Sequence, residues 1–364
     1  MCGKDGSDIL YYIYFIHRRM NILITGGAGY IGSHVLKQLL ENTTHSVTVV
    51  DNLSTGRAET IKTLLKIRDF TFKEDDLSNV QEISNIIREH EIQTILHFAA
   101  SIVVPESVEN PLKYYTNNTV NAINLIRIAQ NAGVRNFIFS STAAAYGEFS
   151  EIPSTGIDET TPLNPINPYG ASKVMVERVL MDTAKALKDF RYTIFRYFNV
   201  AGADMYYQAG HLKPRIGQSF PKATHLIKIA AECALGKREK VSVFGTDFPT
   251  KDGSGVRDYI HVDDLASAHI RAIDYLQEGN SSEIFNLGYG KGYSVLEVIN
   301  TMQEVSGVKF NVTMAGRRAG DPAKLIADNS KYVRTFSNNK EPIFRYNSLP
   351  LICESAFEWE KQLS

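Results

Sequence analysis

Tyr169 and Lys173 are the first candidates for chemistry, because they lie four residues apart in the segment YGASK. If this segment is helical, that spacing puts both side chains on one face. A tyrosine hydroxyl has a pKa of about 10, too high for a base at neutral pH. A neighbouring ammonium group favours the phenolate. The pair could therefore act as a general base that later returns its proton, whereas in isolation such a spacing is common among surface residues.

Hydroxyl side chains at Ser140, Ser141 and Thr142 follow the apolar run Phe137–Phe139, which predicts a buried strand. Ligands of doubly wound sheets bind beyond the carboxyl ends of the strands. At such a position the Thr142 hydroxyl could bridge a reacting oxygen and the tyrosine. The alternative is an ordinary turn at the end of a strand.

A glycine-rich segment, TGGAGYIG (25–32), stands between the strand-like run Asn21–Thr25 and a helical stretch through Leu40. Glycine at such a turn lets the backbone approach a pyrophosphate, and the helix N-terminus offers free N–H groups. Asp51 ends the next strand-like run, where a carboxylate can accept hydrogen bonds from a ribose. Since that carboxylate would repel a 2′-phosphate, the sequence predicts NAD rather than NADP.

Apolar strands alternate with helical patterns through the first half of the chain. The pattern predicts strands at 21–25, 47–51, 70–73, 94–99, 137–141 and 192–196, and helices at 78–89, 112–132 and 169–187. Such alternation indicates a parallel sheet covered on both faces. We expect an α/β protein with a doubly wound, Rossmann-type sheet, and a smaller C-terminal α/β substrate lobe. Residues 20–196 would form the NAD-binding domain, with some later segments returning to it, and 197–364 the substrate lobe.

Composition narrows the class of protein. The 364 residues carry a net charge of -1, which argues against nucleic-acid or membrane-surface partners, since those favour a basic excess. Three dispersed cysteines favour a reducing, cytoplasmic location and predict no metal site. Residues 1–19 are expected to be an upstream extension or, alternatively, an interaction tail. Their apolar run, 9–16, is shorter than the about 20 residues that cross a bilayer.

A set of segments spread over the chain resembles the extended short-chain dehydrogenase/reductase family and, within it, the UDP-galactose 4-epimerases. The resemblance runs from Met20 to about Glu360. It rests on TGGAGYIGSH (25–34), VDNLSTG (50–56), HFAAS (97–101), PESVENPLKYYTNN (105–118), FIFSSTAAAYG (137–147), NPYGASK (167–173), RYFNVAGA (196–203), DGSGVRDYIHVDDLA (252–266), FNLGYG (285–290) and RRAGDPA (317–323).

The resemblance implies a role for each matching position. Tyr169, Lys173 and Thr142 would be catalytic. The NAD-binding residues would be Gly26, Gly29, Tyr30, Ile31, Gly32, Asp51, Asn52, Asp76, Leu77, Phe98, Ala99, Ala100, Asn117, Ser140, Tyr169, Lys173 and Phe198. The UDP-sugar would be held by Thr142, Asn199, His225, Leu226, Phe244, Arg257, Arg318, Asp321 and Leu325. A guanidinium suits a diphosphate because it donates paired hydrogen bonds.

Three positions depart from the pattern of these relatives. Thr142 stands where serine is frequent, which keeps the hydroxyl. Ile102 replaces a lysine near the cofactor and puts one cofactor contact in doubt. Leu325 replaces a bulky tyrosine beside C2 of the sugar, so we hypothesise that N-acetylated UDP-hexosamines also fit.

The implied reaction is inversion at C4 of a UDP-hexose through transient oxidation by bound NAD. The resemblance also implies a homodimer formed by the helices at 112–132 and 169–187. A 4,6-dehydratase is the main alternative, but it needs an acid/base pair where Ala143 and Ala144 stand. A dehydrogenase that releases its cofactor, or a non-catalytic NAD-binding regulator, are further alternatives. His261, Asp263 and Asp264 could suggest a metal, but helix capping is the preferred interpretation.

Overall fold

The computed structural model describes residues 19–149, 155–221, 224–318, 321–337 and 341–363. The expected N-terminal extension therefore lies outside the described residues, apart from Arg19. None of the helices within these ranges is long and apolar enough to cross a membrane.

Helices and strands alternate from Asn21 onward. The first part contains β1 (Asn21–Thr25), α1 (Tyr30–Asn42), β2 (Ser46–Asp51), α2 (Ala58–Leu65), β3 (Thr71–Glu74), α3 (Val80–Glu89), β4 (Thr94–His97), α4 (Val104–Glu109), α5 (Pro111–Tyr114), a π-helical segment (Tyr115–Val120), α6 (Asn121–Asn131), β5 (Asn136–Thr142), a 3₁₀ turn (Ala143–Ala145), α7 (Pro168–Ala186) and β6 (Arg191–Tyr197). The strands predicted from the sequence are confirmed to within two residues at each end.

The remaining elements are shorter and less regular. They are β7 (Asn199–Ala201), β8 (Tyr207–Gln208), β9 (His211–Leu212), α8 (Leu226–Ala234), β10 (Lys240–Phe244), β11 (Val256–His261), α9 (Val262–Gln277), β12 (Glu283–Leu287), β13 (Gly292–Ser294), α10 (Val295–Ser306), β14 (Asn311–Ala315), β15 (Lys324–Leu325), α11 (Ser330–Phe336) and α12 (Leu349–Gln362).

A seven-stranded sheet forms the centre of the fold, with its strands in the order β12-β6-β5-β4-β1-β2-β3. All adjacent strands in this sheet run parallel. One apolar cluster packs α1, α2 and α9 against one face, and a second packs α3, α6 and α7 against the other. The predicted doubly wound sheet is confirmed. Its seventh strand, β12, comes from the part of the chain that follows residue 197.

A second group of elements packs around α8, α10 and α12, with its own apolar cluster. There β10 pairs with β14, and β11 pairs with β7, β13 and β15. Since α9 follows β11 directly and packs on α1, the chain passes from this group straight back to the large sheet.

The predicted helix at 112–132 is wrong in one respect, because its centre is the π-helical segment Tyr115–Val120. This wider turn accompanies two hydrogen bonds of Asn118. Its Oδ1 accepts from the Ser101 N–H at 2.8 Å, and its Nδ2 donates to the Ser101 carbonyl at 3.0 Å. Single π-helical turns often occur at functional sites. Here the turn ties the helix to the loop that follows β4.

Buried charges join α1 to the second group of elements. The Lys37 ammonium lies 2.7 Å from a carboxylate oxygen of Asp204 and 2.7 Å from one of Asp263. Arg215 also pairs with Asp204, at 2.6 Å. Since Asp204 follows β7 and Asp263 is in the first turn of α9, this ion cluster connects three separate parts of the chain.

Candidate functional site

A cavity of about 1560 Å³ opens at the carboxyl ends of the parallel strands. It begins at the loop after β1, passes the ends of β4 and β5, and continues to the loops around β11 and β15. Typical small-molecule pockets measure about 300–1,000 Å³. This cavity is therefore large enough for two ligands lying end to end.

The glycine loop forms the floor of one end of the cavity, between β1 and α1. Gly26 has a φ of 78°, and a Cβ there would lie 2.6 Å from the backbone nitrogen of Ala99. A Cβ on Gly32 would lie 2.3 Å from the carbonyl oxygen of Gly26. These two contacts require glycine, because a side chain at Gly26 would displace the loop from the segment after β4, and one at Gly32 would displace α1 from the loop. The result is a bare backbone surface at the N-terminus of α1, which suits a pyrophosphate.

Acidic and amide side chains follow the glycine loop along the wall. Asp51, at the end of β2, accepts hydrogen bonds from the N–H groups of Ala28 (2.9 Å) and Leu53 (2.8 Å). Burial raises the pKa of this carboxyl, and the backbone donors oppose that rise. Asn52 donates to Asp76 at 2.5 Å, and Leu77 lies beside it on the cavity wall. The wall therefore offers several oxygen acceptors where the sequence predicted a ribose and an adenine.

The middle of the cavity is lined by the segment after β4. Phe98, Ala99 and Ala100 lie on the wall, and so does Ile102. Asn117, in the π-helical segment, donates to the Ser101 hydroxyl at 3.0 Å. This hydrogen bond joins the loop after β4 to the π-helical segment.

Tyr169 and Lys173 both project into this middle region from the first turns of α7. Asn167 caps that helix by accepting a hydrogen bond from the Gly170 N–H at 2.8 Å, and Pro168 occupies its first position. Tyr169 and Thr142, which ends β5, both line this part of the cavity. Burial raises the pKa of Tyr169, while the Thr142 hydroxyl lowers it. The structure thus brings the three predicted catalytic side chains together at one wall.

Lys173 is buried and makes its closest contact with backbone. Its Nζ donates to the Ser140 carbonyl at 2.8 Å and lies 4.9 Å from the centre of the Phe139 ring. Burial lowers its pKa to about 7, while the Glu177 carboxylate, one turn along α7, raises it. Glu177 is itself held by a buried ion pair with Arg196 on β6, at 2.7 Å.

The far end of the cavity is formed by β11, β15 and the loops beside them. Arg257 donates to Asp321 at 2.5 Å, and both residues lie on the wall with Phe198, Asn199, His225 and Leu325. Leu325 is half-buried against an apolar cluster that includes Ala143, Tyr146 and Phe198. Arg257 on β11 is paired with Leu325 on β15. This end of the cavity therefore combines a guanidinium, a carboxylate and an apolar surface.

Three predicted residues stand apart from the described cavity wall. The Arg318 guanidinium stacks on the Phe244 ring at 3.6 Å, at the end of the β10–β14 pair. Leu226 begins α8 and packs against the apolar cluster of the second group of elements. Within the described ranges, these side chains therefore contact protein rather than the cavity.

His261 caps a helix, as expected from the sequence. Its Nδ1 accepts a hydrogen bond from the Asp263 N–H at 3.1 Å, at the start of α9. Asp264 instead accepts from the Tyr289 hydroxyl at 2.6 Å. Across the described ranges, no group of three or more histidine, cysteine, aspartate or glutamate side chains could hold a metal ion.

Sequence reasoning missed Tyr197, which ends β6 and lies on the cavity wall beside the predicted residues. The available signal was its position directly after an apolar strand, the same signal that identified Thr142. It missed Tyr114 as well, whose ring meets the Tyr169 ring edge-on with centres 6.5 Å apart. No local pattern could have indicated this contact, because it joins two separate helices.

Comparison with known proteins places this arrangement among related chains. Residues 22–288 match the NAD dependent epimerase/dehydratase family. A UDP-glucose 4-epimerase of Azospirillum brasilense is 45% identical over 94% of this chain and 92% of its own. The solved UDP-Glc/GlcNAc 4-epimerase of Campylobacter jejuni is 54% identical, with a TM-score of 0.80 over 94% of this chain and 99% of its own.

A third relative was solved with two ligands. The UDP-glucose 4-epimerase of Bifidobacterium longum, in complex with NAD+ and UDP, is 32% identical, with a TM-score of 0.84 over 94% of this chain and 98% of that one. The family match covers most of the chain, and these relatives match nearly all of it. The chain therefore belongs to the NAD dependent epimerase/dehydratase family.

Proposed function

We propose that the protein is an isomerase that inverts C4 of UDP-hexoses, interconverting UDP-galactose and UDP-glucose with the help of bound NAD. One observation carries the proposal. Tyr169, Lys173 and Thr142 meet halfway along a cavity that has a bare glycine turn at one end and Arg257 at the other. The relatives are UDP-glucose 4-epimerases, and one of them was solved with NAD+ and UDP.

The residues present fit NAD. The glycine turn presents bare backbone at the N-terminus of α1, and Asp51 offers carboxylate oxygens at the end of β2. Residues 20–196, together with segments that return to them, would hold the cofactor, and residues 197–364 would supply most of the UDP-sugar site. Arg318, Phe244 and Leu226 remain predicted contacts of this second ligand. The chemistry that bound NAD+ supplies is reversible acceptance of a hydride from C4 of the sugar.

In the proposed mechanism, the Tyr169 phenolate takes the proton of the sugar 4-hydroxyl. Lys173 favours the phenolate by its positive charge, and Thr142 donates a hydrogen bond to the oxygen that becomes a keto group. The keto sugar then turns about its diphosphate, which Arg257 anchors, and presents its other face. Tyr169 returns the proton. The wide cavity supports this step, since the sugar needs room to turn while its nucleotide stays bound.

A dehydratase has less support from the site. Elimination of water needs an acid and a base beside the sugar carbons that lose it, and the positions after Thr142 are Ala143–Ala145, which form a short turn without any titratable side chain. The site therefore favours inversion over elimination.

The decisive experiment uses proton NMR of the purified protein with UDP-galactose and no added NAD. We expect conversion to UDP-glucose, because the cofactor is regenerated in each turnover and has no reason to leave. Failure to convert UDP-galactose even with NAD supplied would overturn the proposal. Accumulation of free NADH would instead indicate a dehydrogenase.

We also propose that the sugar pocket accepts N-acetylated UDP-hexosamines. Leu325 supports this, since it is a small apolar side chain where the pocket floor meets Arg257. The Campylobacter jejuni relative, described as acting on UDP-Glc/GlcNAc, also supports it.

Leu325→Tyr is expected to separate the two substrate classes. The larger ring would fill the space beside C2 of the sugar, and overpacking of this kind costs about 1–3 kcal/mol. We therefore expect kcat/KM for UDP-N-acetylgalactosamine to fall roughly tenfold to a hundredfold, with little change for UDP-galactose. Leu325→Met, which conserves volume, is the matched control. Equal losses on both substrates in Leu325→Tyr would count against the pocket assignment.

We propose a homodimer formed through the outer faces of the helical regions 112–132 and 169–187. Large apolar side chains are exposed there, among them Val120, Ile123 and Met175. Exposed apolar patches of this kind commonly mark contacts between subunits. A cytoplasmic location is part of the same proposal, and the free thiols of Cys233 and Cys353 support it.

Ile123→Glu is expected to convert the dimer to a monomer in sedimentation velocity, because it places a charge in the centre of the proposed contact. Val308→Glu is a matched control, since Ile123 and Val308 are each 39% exposed and Val308 follows α10, away from α6 and α7. Dimers in both variants, or a monomeric unmodified protein, would contradict the proposed interface.

A further inference from the structure

The C-terminal helix α12 contacts a loop of the cavity wall, residues 217–221. Trp359 of this helix is half-buried, and its indole Nε1–H donates to the carbonyl oxygen of Gln218 at 3.2 Å. Gln218, Phe220 and Pro221 all lie on the cavity wall, whereas Trp359 does not. The loop begins beside β7, which pairs with β11, so it belongs to the far end of the cavity, where Arg257 stands.

The first residue of the loop packs directly against the indole ring. A Cβ added to Gly217 would lie 2.5 Å from Cδ1 of Trp359 and 2.6 Å from its Cγ. Gly217 does not have a positive φ, so its backbone conformation would suit any residue. Glycine is therefore required here by the close approach of the loop to the ring.

The indole is the main link between the rest of the loop and the protein around it. Gly217 forms a backbone bridge with Ala203, but this bridge lies at the entrance to the loop. Beyond it, Gln218 Oε1 accepts a hydrogen bond from the Phe220 N–H at 3.1 Å, which is a contact within the loop. Among the described residues, the indole is the one group outside the loop that hydrogen-bonds residues 218–221. Loss of the indole bond would therefore release Gln218 and, through it, Phe220.

Buried charges fix the turn of α12 that carries the indole. Glu360, the residue after Trp359, pairs with Lys228 of α8 at 2.7 Å, and these two side chains are 6% and 7% exposed. Lys237, which follows α8, donates to the backbone carbonyl of Glu360 at 2.6 Å. The N-cap residue of α8, His225, also lies on the cavity wall. The indole thus stands on a support that is joined to a second part of the same wall.

We propose that Trp359 is a positioning residue for the UDP portion of the substrate, which holds the loop 217–221 in the form that binds it. The inference rests on the proposed function, because that function places UDP at the end of the cavity where Arg257 stands. The indole touches neither the cavity nor the group Tyr169, Lys173 and Thr142. Its loss should therefore weaken binding of UDP and leave the chemical step unaltered.

The first test is NMR of the indole N–H in the NAD-loaded protein, which does not depend on turnover. The chain has a single tryptophan, so the indole gives one ¹H–¹⁵N signal, which is identified by its loss in Trp359→Phe. We expect slow exchange of this hydrogen with solvent, and a shift of the signal at saturating UDP, because the carbonyl that it contacts belongs to the cavity wall. Rapid exchange, or an unmoved signal while calorimetry records UDP binding, would overturn the proposal.

The second test measures the Kd for UDP by calorimetry in NAD-loaded variants. Trp359→Phe keeps an aromatic ring but loses the donor, so we expect Kd to rise about fivefold, the effect of one hydrogen bond. The KM for UDP-galactose should rise likewise, with kcat and NAD content unchanged. Gly217→Ala keeps the indole but pushes the loop away from it, and a similar rise is expected.

Combining two substitutions tests whether the contact itself matters. Trp359→Leu makes room for a methyl group at residue 217. In that background Gly217→Ala should raise Kd no further, because residues in contact have non-additive effects. Additive effects of the two substitutions would show that the loop and the indole act separately, which would refute the proposal.

Phe357→Leu is the matched control for damage to the helix. Phe357 is also in α12, and it packs in the apolar cluster that α12 shares with α8 and α10. We expect this variant to lose thermal stability and to bind UDP normally, whereas a merely structural role of Trp359 predicts that Kd follows thermal stability in every variant. Normal UDP binding in Trp359→Phe would overturn the positioning role alone. If the unmodified protein neither binds UDP nor converts UDP-galactose, the proposed function itself fails.

Discussion

Tyr169→Phe is expected to lower kcat by about a hundredfold to ten-thousandfold, which is the usual contribution of a general acid–base group. The substitution removes only the hydroxyl, so the proton of the sugar 4-hydroxyl would have no acceptor within reach. The phenylalanine ring can keep the edge-on contact with Tyr114, since that contact does not use the hydroxyl. NAD content, measured after release by denaturation, is expected to stay unchanged.

Two controls separate chemistry from damage to the fold. Thermal unfolding should differ little from that of the unmodified protein, because Tyr169 is a half-buried residue on the cavity wall and the ring is kept. Thr142→Ser, which keeps the hydroxyl, should retain most activity. A near-normal kcat in Tyr169→Phe would show that another group takes the proton.

Lys37→Met is expected to lower the free energy of unfolding by about 3–5 kcal/mol, the cost of leaving buried charges without their partner. The ammonium is held between Asp204 and Asp263, and all three side chains are at most 5% exposed. Methionine has a similar length but cannot neutralise either carboxylate. Denaturant unfolding measures the change.

Lys361→Met provides the matched comparison. This lysine also contacts a carboxylate, Glu358, at 2.6 Å, but its side chain is 44% exposed. Exposed ion pairs contribute about 0–1 kcal/mol. An equal loss in the free energy of unfolding in both variants would show that burial does not strengthen the contribution of the Lys37 ion pairs.

The pKa of the Asp204 carboxyl predicts how the stability that this cluster provides changes in acid. Burial by itself raises its pKa, but Arg215 and Lys37 outweigh burial and lower the pKa from 3.8 to about 2. A carboxyl whose pKa is lower in the folded state stabilises the fold fully above its unfolded pKa. We therefore expect this contribution to disappear as the pH falls from about 4 toward 2, and Asp204→Asn to show a flatter acid profile.

The sequence predicted the large sheet well because its strands are continuous apolar runs. Asn21–Thr25 and Asn136–Thr142 are buried on both faces, so their residue types alone indicate a central strand. The π-helical segment was not predicted, since it accompanies two hydrogen bonds between Asn118 and Ser101, which are far apart along the chain. A periodic pattern indicates which residues lie on one face of a helix, but it does not indicate hydrogen bonds to residues far away in the sequence.

The candidate site divides in the same way. Gly26 follows β1, Asp51 ends β2 and Tyr169 lies in the first turn of α7. Each belongs to a short motif at the end of a regular element, so local order in the chain was sufficient to propose them together. Tyr114 and Tyr169 lie on separate helices, and only the packing of α5 beside α7 makes their rings neighbours. Arg318 and Phe244 were predicted from resemblance alone, and the structure pairs them with each other.

The place of β12 at the edge of the central sheet has a consequence for synthesis of the protein on the ribosome. The sheet lacks its last strand until Leu287 has been made, although six of its strands are complete at Tyr197. During that interval β6 presents an unpaired edge, and such edges favour association between nascent chains. Slow translation between residues 198 and 287 should therefore reduce the yield of native protein, while a pause after 287 should do no harm.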